Sequence, residues 1–226
     1  MTKPIIKQAL AVIVCTMTTL GVAAADKTDV NFSLASGVEA YRAGEYSKAW
    51  KLLHPIADAG DAKAQRYAGK ILLAANRPEL LAGDVPSGVD YLAKAALAGD
   101  YVALVELENL RRDGGESAPS IEQIIEIEES LAKEGDPVTA WRLAKRFETG
   151  DGVSSSPENM VKWLEVAASA SIDRFPKARE AAFRLCEAYT LVVREKTLAE
   201  RWCQKAASEG HAGAAILLRR VARAQG

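Results

Sequence analysis

A short segment returns along this chain at a nearly constant spacing, and this repetition constrains the fold more than any other feature. In each copy, an alanine-rich stretch ends in a glycine and a second apolar stretch soon begins. The glycines of the four copies are Gly60, Gly99, Gly135 and Gly210, which lie 39, 36 and 75 residues apart. Because 75 is about two periods, the chain predicts a solenoid of stacked helix pairs in which neighbouring repeats bury each other's apolar faces.

The best-preserved copy resembles a known repeat. Residues 143–153 read LAKRFETGDGV, and residues 163–168 read WLEVAA. A shorter version follows, with Leu185 and Tyr189 on one side and Trp202 before two alanines on the other. A glycine-rich turn followed by a tryptophan and paired alanines is similar to the Sel1-like repeat, a relative of the tetratricopeptide repeat.

This resemblance covers about residues 37–215 and implies an all-α fold. It implies an α/α solenoid, wound as a right-handed superhelix, of about five helix-turn-helix repeats plus a C-terminal capping helix. We therefore expect one solenoid domain over residues 37–226. The third copy departs most from the repeat, because Glu108 stands where the pattern has glycine and Arg111 where it has tyrosine. The resemblance implies no reaction.

The N-terminal residues have the pattern of a secretory signal peptide. Lys3 and Lys7 precede an apolar stretch, and Ala23-Ala24-Ala25 offers a cleavage site before Asp26. We therefore expect residues 1–25 to be a bacterial export signal, residues 26–36 to be a flexible lead, and the mature protein to be periplasmic without stable membrane insertion. The alternative is a signal that is retained as an anchor.

The charge balance gives no case for a nucleic-acid partner. The sequence has 29 basic and 30 acidic residues, and loss of Lys3 and Lys7 with the signal leaves 27 basic against 30 acidic ones. Such a chain lacks the basic excess typical of nucleic-acid binding. The acidic run at residues 126–129 shares a predicted helix with several isoleucines, which favours a solvated helix face for these glutamates.

Residues that could carry chemistry are few. The sequence contains no phosphate-binding glycine loop, no nucleophile elbow and no zinc-protease motif. Its two histidines, His54 and His211, are far apart, and each is expected to have a structural role. We therefore predict no catalytic residues, no metal site and no cofactor, and we interpret the chain as a non-enzyme.

Two cysteines remain after the signal, and their placement favours a disulfide. Cys186 and Cys203 are symmetric about a predicted turn near residues 193–196, so they should lie at one level on facing helices. An oxidising compartment favours a bridge between them. Two buried free thiols are the alternative.

The exposed row of the first helices is the predicted partner-binding surface, because solenoids commonly bind through their concave side. Positions around the leucine of each motif supply this row, and its middle contains four cations that could dock an acidic segment of a partner. The predicted row consists of Tyr67, Lys70, Glu106, Asn109, Arg142, Lys145, Arg146, Arg184 and Glu187.

The repeat architecture favours a binding function over catalysis. Through its relatives, the resemblance implies a non-catalytic periplasmic adaptor or scaffold for protein–protein interaction in envelope assembly, exopolysaccharide export or signalling. A periplasmic regulator of a membrane sensor kinase is one alternative. A glycan-acting enzyme or carbohydrate-binding module is another.

Overall fold

The computed structural model describes residues 27–74, 87–115 and 118–223. The predicted signal peptide and the whole proline-containing loop predicted over residues 76–86 lie outside the described residues. The helices are α1 Lys27–Arg42, α2 Tyr46–Asp58, α3 Ala62–Leu73, α4 Gly88–Leu97, α5 Tyr101–Asp113, α6 Ile121–Lys133, α7 Pro137–Thr149, α8 Pro157–Ser169, α9 Ala178–Leu191, α10 Lys196–Ser208 and α11 Ala212–Arg223.

These helices confirm the predicted all-α solenoid. Within the described residues there are eleven helices and no strand, and each helix packs chiefly on its neighbours along the chain. The odd-numbered helices α1 to α9 are the first helices of five pairs, the even-numbered ones are the second helices, and α11 packs against α9 and α10 as the predicted cap. No helix among the described residues is long and apolar enough to cross a membrane.

The recurrent glycine forms the junction between repeats. Gly60, Gly99, Gly135 and Gly210 all have φ between +87° and +97°. This left-handed conformation ends a helix without the steric cost that a Cβ would add. At the first three junctions the next residue is an aspartate, and its side chain accepts hydrogen bonds from backbone amides of the following helix. The glycine-aspartate pair therefore ends one repeat and begins the next.

Small residues allow the paired helices to approach closely. A Cβ added to Gly69 in α3 would lie 2.7 Å from the carbonyl oxygen of Gly88 in α4. Large residues fill the space between pairs, since Trp163 and Trp202 are only 3% and 4% exposed. Their burial among alanines explains the alternation of alanine and aromatic residues in the sequence.

The first helix begins ten residues earlier than predicted. The sequence placed a flexible lead over residues 26–36, but α1 already starts at Lys27. Val30 and Leu34 lie one helical turn apart and pack against the N-terminal core cluster, although Phe32 on another face is 74% exposed. Their spacing of four residues is the helical signal that the prediction overlooked.

Candidate partner-binding site

Ion pairs between successive first helices run along the predicted row. Between the second and third helix pairs, Nζ of Lys70 in α3 lies 2.5 Å from Oε1 of Glu106 in α5. Nearby, Nε of Arg66 donates to Oδ2 of Asp100 over 2.8 Å, and both side chains are mostly buried. Lys70 and Glu106 were predicted to be available to a partner, but the structure pairs them with each other across two repeats.

The middle of the row is a cluster of five ionic side chains around the buried pair of Glu128 and Arg146. Glu128 of α6 is fully buried, and its carboxylate accepts from Nε of Arg142 over 2.5 Å and from Nε of Arg146 over 2.7 Å. Glu108 of α5 accepts from Nη2 of Arg142 over 2.6 Å and also pairs with Arg146. Asp151 pairs with Arg146 from the turn after α7, so α5, α6 and α7 are joined through charged groups.

Two sequence expectations are therefore wrong at this cluster. Arg146 was placed in the outward row, but it is only 6% exposed. Glu128 was assigned to a solvated face, but it lies with the buried isoleucines of α6. Burial alone would lower the pKa of Arg146, but hydrogen bonding and charge attraction from Glu128, Glu108 and Asp151 outweigh it and raise the pKa, so the arginine stays charged. Glu108, where the repeat has glycine, supplies one of these anions.

Between the fourth and fifth helix pairs, Glu148 joins α7 to α9. Its carboxylate pairs with Lys145 on its own helix and accepts from Nη1 of Arg184 over 2.6 Å. Burial acts to raise the pKa of Glu148, but the two cations outweigh it and hold that pKa below its ordinary value. We refer to the pairs Lys70–Glu106, Arg142–Glu108 and Arg184–Glu148, with the buried Glu128–Arg146 pair, as the ion-pair ladder. Three of the four cations proposed from the sequence to dock a partner, Arg142, Arg146 and Arg184, belong to it, and the fourth, Lys145, pairs with Glu148 beside it.

The remaining predicted residues have contacts of their own. The ring of Tyr67 lies edge-on to that of Tyr41, with centroids 5.1 Å apart, and Asn109 accepts from Arg112 over 2.7 Å. Glu187 is half-buried beside a cavity. Most charged members of the predicted row are therefore already paired: Lys70 and Glu106 bind each other, and the four cations bind carboxylates outside the row.

The apolar cleft lies between α7, α8 and α9. It has a volume of about 260 Å³, and its walls are mainly the side chains of Trp141, Met160, Leu164, Ala188, Leu191 and Val192. Leu191 and Val192, at the C-terminal end of α9, are 65% and 58% exposed, although both side chains are large and apolar. Lys145, Glu148, Arg184 and Glu187 form its polar rim. Sequence reasoning identified three of the rim residues as exposed but missed the cleft itself.

The polar groove continues from the cleft. Trp141 and Lys145 line both cavities, and the groove extends over α5 and α7 with a volume of about 590 Å³. Arg112 and Lys177 lie on its border, and both are exposed. Nζ of Lys177 lies 5.8 Å from the centre of the Trp141 ring. Neither cation has an anionic partner among the described residues.

Cys186 and Cys203 lie on a helix that lines the cleft and on its partner helix. Cys186 of α9 and Cys203 of α10 are fully buried, and their sulfur atoms are joined in a disulfide with Cα atoms 4.8 Å apart. The bridge ties α9, which supplies Ala188 and Leu191 to the cleft, to its partner helix. The structure thus has the bridge, rather than the two free thiols that the sequence also allowed.

Both histidines make packing contacts. The His54 ring lies 4.5 Å from that of Trp50, and the His211 ring stacks on Phe183 with centroids 3.9 Å apart. Nδ1 of His211 accepts from the amide of Ala214, so His211 takes the capping place that aspartate has at other junctions. Across residues 27–74, 87–115 and 118–223, no group of three or more side chains is arranged to hold a metal ion.

Comparison with proteins of known structure places the chain beside repeat proteins. The chain is similar to Sel1-repeat structures. One is a Sel1 repeat protein from Oxalobacter formigenes, which is 24% identical with a TM-score of 0.42, over 85% of this chain and 65% of that one. Another is c5321, a protective antigen of uropathogenic Escherichia coli strains with an SLR fold, which is 17% identical with a TM-score of 0.44, over 87% of this chain and 50% of that one.

This chain therefore spans about two thirds of the first structure and half of the second. Comparisons with protein-family models and with curated proteins give no match.

Proposed function

We propose that this chain is a scaffold that binds a partner protein through the apolar cleft and the adjoining polar groove. The observation that carries this proposal is the exposure of Leu191 and Val192 at the edge of a cleft whose other walls are apolar. Exposed apolar surface with a polar rim is typical of a protein-interaction site. The ion-pair ladder supports the same role, because it fixes the helices that form the walls.

The partner belongs to the bacterial cell envelope in this proposal. Its basis is the export pattern of residues 1–25, together with a disulfide that requires an oxidising compartment to persist. The resemblance to Sel1-like repeats adds the processes of envelope assembly, exopolysaccharide export and signalling. Intact mass of the protein from a periplasmic extract should correspond to a chain that begins at Asp26. A chain that retains Met1 and fractionates with membranes would contradict the periplasmic assignment.

Site-specific photo-crosslinking tests the binding role. A photoreactive amino acid replaces Leu191 at the cleft, and a matched variant carries it at Ile216, which is 55% exposed in α11 and outside the cavities described above. Ultraviolet irradiation of intact cells should give a discrete protein adduct from the Leu191 position and not from the Ile216 position. Equal labelling at both positions, or no adduct at Leu191, would contradict partner binding at the cleft.

A further inference from the structure

The apolar cleft has the size of a receptor for one large side chain. Its volume is about 260 Å³. An apolar cavity of about 150 Å³ accepts benzene, whereas pockets for whole drug-sized ligands start at about 300 Å³. The cleft therefore suits a phenylalanine, leucine or methionine side chain from a partner rather than a complete small molecule.

The polar groove beside the cleft includes cations that have no anionic partner among the described residues. Its lining includes five cations, Arg112, Arg142, Lys145, Arg146 and Lys177. Arg142 and Arg146 belong to the ladder, and Lys145 belongs to the polar rim of the cleft. These three cations are paired with Glu108, Glu128, Glu148 or Asp151. Within the part of the chain that the structure describes, Arg112 donates to the neutral side chain of Asn109, and Lys177 faces the Trp141 ring.

The cations on this face are therefore of two kinds, those that already have anionic partners and those that have none among the described residues. Ladder cations such as Arg142 already have anionic partners, and exchanging those partners for a ligand would leave carboxylates exposed or buried without compensation. Arg112 and Lys177 are exposed, and because they have no carboxylate partner among the described residues, a ligand can bind them without breaking an ion pair. An incoming carboxylate gains charge-assisted hydrogen bonds from an arginine or lysine of this kind.

We propose that the occupant is an extended segment of a partner protein that combines one large apolar side chain with acidic residues. The apolar side chain enters the cleft against Trp141 and Leu191, and the carboxylates lie in the groove near Arg112 and Lys177. This proposal rests on the proposed function and names the chemistry of its partner. Trp141 lines both cavities, so one continuous segment passes from the cleft to the groove across its ring.

Fluorescence anisotropy with short synthetic peptides tests this chemistry. The probe is a labelled peptide with one phenylalanine beside a run of aspartate and glutamate, prepared in both orders because the segment's direction is open. Comparison peptides replace the phenylalanine with serine, or the acids with lysine or with asparagine and glutamine. The acidic phenylalanine peptide should bind at least about tenfold more tightly than every comparison peptide. Added salt should weaken its binding.

Charge-reversal variants locate the contact. Arg112→Glu combined with Lys177→Glu should weaken binding of the acidic peptide by about tenfold, equivalent to about 1.4 kcal/mol. Lys51 and Lys63 are the matched control, because both are exposed, lack an ion pair among the described residues and lie outside the cavities described above. Lys51→Glu with Lys63→Glu should leave binding within about twofold. Circular dichroism should show every variant folded.

The outcomes separate this inference from the proposed function. If Leu191→Asp abolishes binding but acidic, amide and lysine peptides bind equally, the acidic preference is wrong and the cleft remains a binding site. If no peptide binds and the Leu191 crosslink is absent in cells, both proposals fail. A chain that dimerises by itself, with a dimer lost in Leu191→Asp, would also overturn the inference because the occupant would be a second copy.

Discussion

Nε of Arg146 donates a 2.7 Å hydrogen bond to Oε2 of Glu128, and both side chains are buried where one repeat meets the next. The two residues are 18 positions apart and belong to α7 and α6. A buried ion pair of this kind is held in place because neither partner can lose its charge or reach water cheaply. The pair therefore fixes the step between the third and fourth helix pairs.

Removal of the Glu128 charge should destabilise the protein strongly. Glu128→Gln leaves Arg146 and Arg142 with a weaker shared acceptor inside the protein, and breaking a buried pair costs about 3–5 kcal/mol. The matched control is Glu129→Gln one position on, where the side chain is partly exposed and pairs with Lys133 at the surface. That change should cost less than about 1 kcal/mol. Chemical denaturation gives both values, and equal losses would contradict the buried cluster.

Truncation of Trp163 should show how much the layer between repeats contributes. Trp163→Ala removes a ring that is 3% exposed, and such a change costs about 3–5 kcal/mol in the free energy of unfolding. Phe32→Ala is the control, because Phe32 is 74% exposed and its truncation should cost less than about 0.5 kcal/mol. A loss below about 1 kcal/mol at Trp163 would contradict the packing described for α8.

The disulfide predicts the thiol count of the protein. Free-thiol labelling of the denatured, unreduced chain should find no thiol if residues 1–25 have been removed, and Cys15 alone if they remain. The bridge closes a sequence separation of 17 residues, for which the chain-entropy description gives about 3 kcal/mol. Reduction should therefore lower the unfolding midpoint. Two or more labelled thiols in the shortened chain would rule the bridge out.

Two buried tyrosines should make the protein sensitive to alkali. Burial is the main reason that the pKa of Tyr91 is raised from 10.0 to about 12, and a hydrogen bond to Asp58 is the second. Burial and a hydrogen bond to Glu165 raise the pKa of Tyr189 to about 12 as well. Because the folded pKa is the higher one, this contribution to stability is complete below about pH 10 and is lost as the pH rises towards 12.

The raised tyrosine pKa values can be measured by comparing phenol ionisation in the folded and the denatured protein. Ultraviolet titration should find that Tyr91 and Tyr189 ionise near pH 12 in the folded protein and near pH 10 in denaturant. Tyr101 should be a further late phenol, because burial and hydrogen bonding to Asp136 also raise its pKa. Tyr91→Phe should remove one of these late phenols. Ionisation of all phenols near pH 10 in the folded protein would contradict the burial of these hydroxyl groups.

The repeat signal was sufficient to predict the helix pairs, because glycine and aspartate act locally at each junction. The sequence positions of Gly99 and Asp100 alone indicate where one helix ends and the next begins. Arg146 could not be placed in the same way. Its burial depends on Glu108 and Glu128, which come from two other helices, and a row defined by one helix contains no information about such partners.

The cleft was not predictable for a related reason. Trp141, Met160 and Leu191 come from three helices, and each has the appearance of an ordinary core residue in the sequence. A signal was nevertheless present, since residues 191–193 read LVV at the end of a helix, where a turn is normally polar.

In the proposed function, the ladder cations hold the repeats together while the cleft binds the partner. Lys70→Gln and Leu191→Asp test it directly, because Lys70 is a ladder residue of the predicted row and Leu191 is a cleft residue that the sequence did not suggest. Both variants are compared for partner capture in the crosslinking assay, with the photoreactive group at Val192. We expect about a tenfold loss of capture in Leu191→Asp and a change within about twofold in Lys70→Gln. Loss of capture in a folded Lys70→Gln protein, with normal capture in Leu191→Asp, would contradict the proposed function.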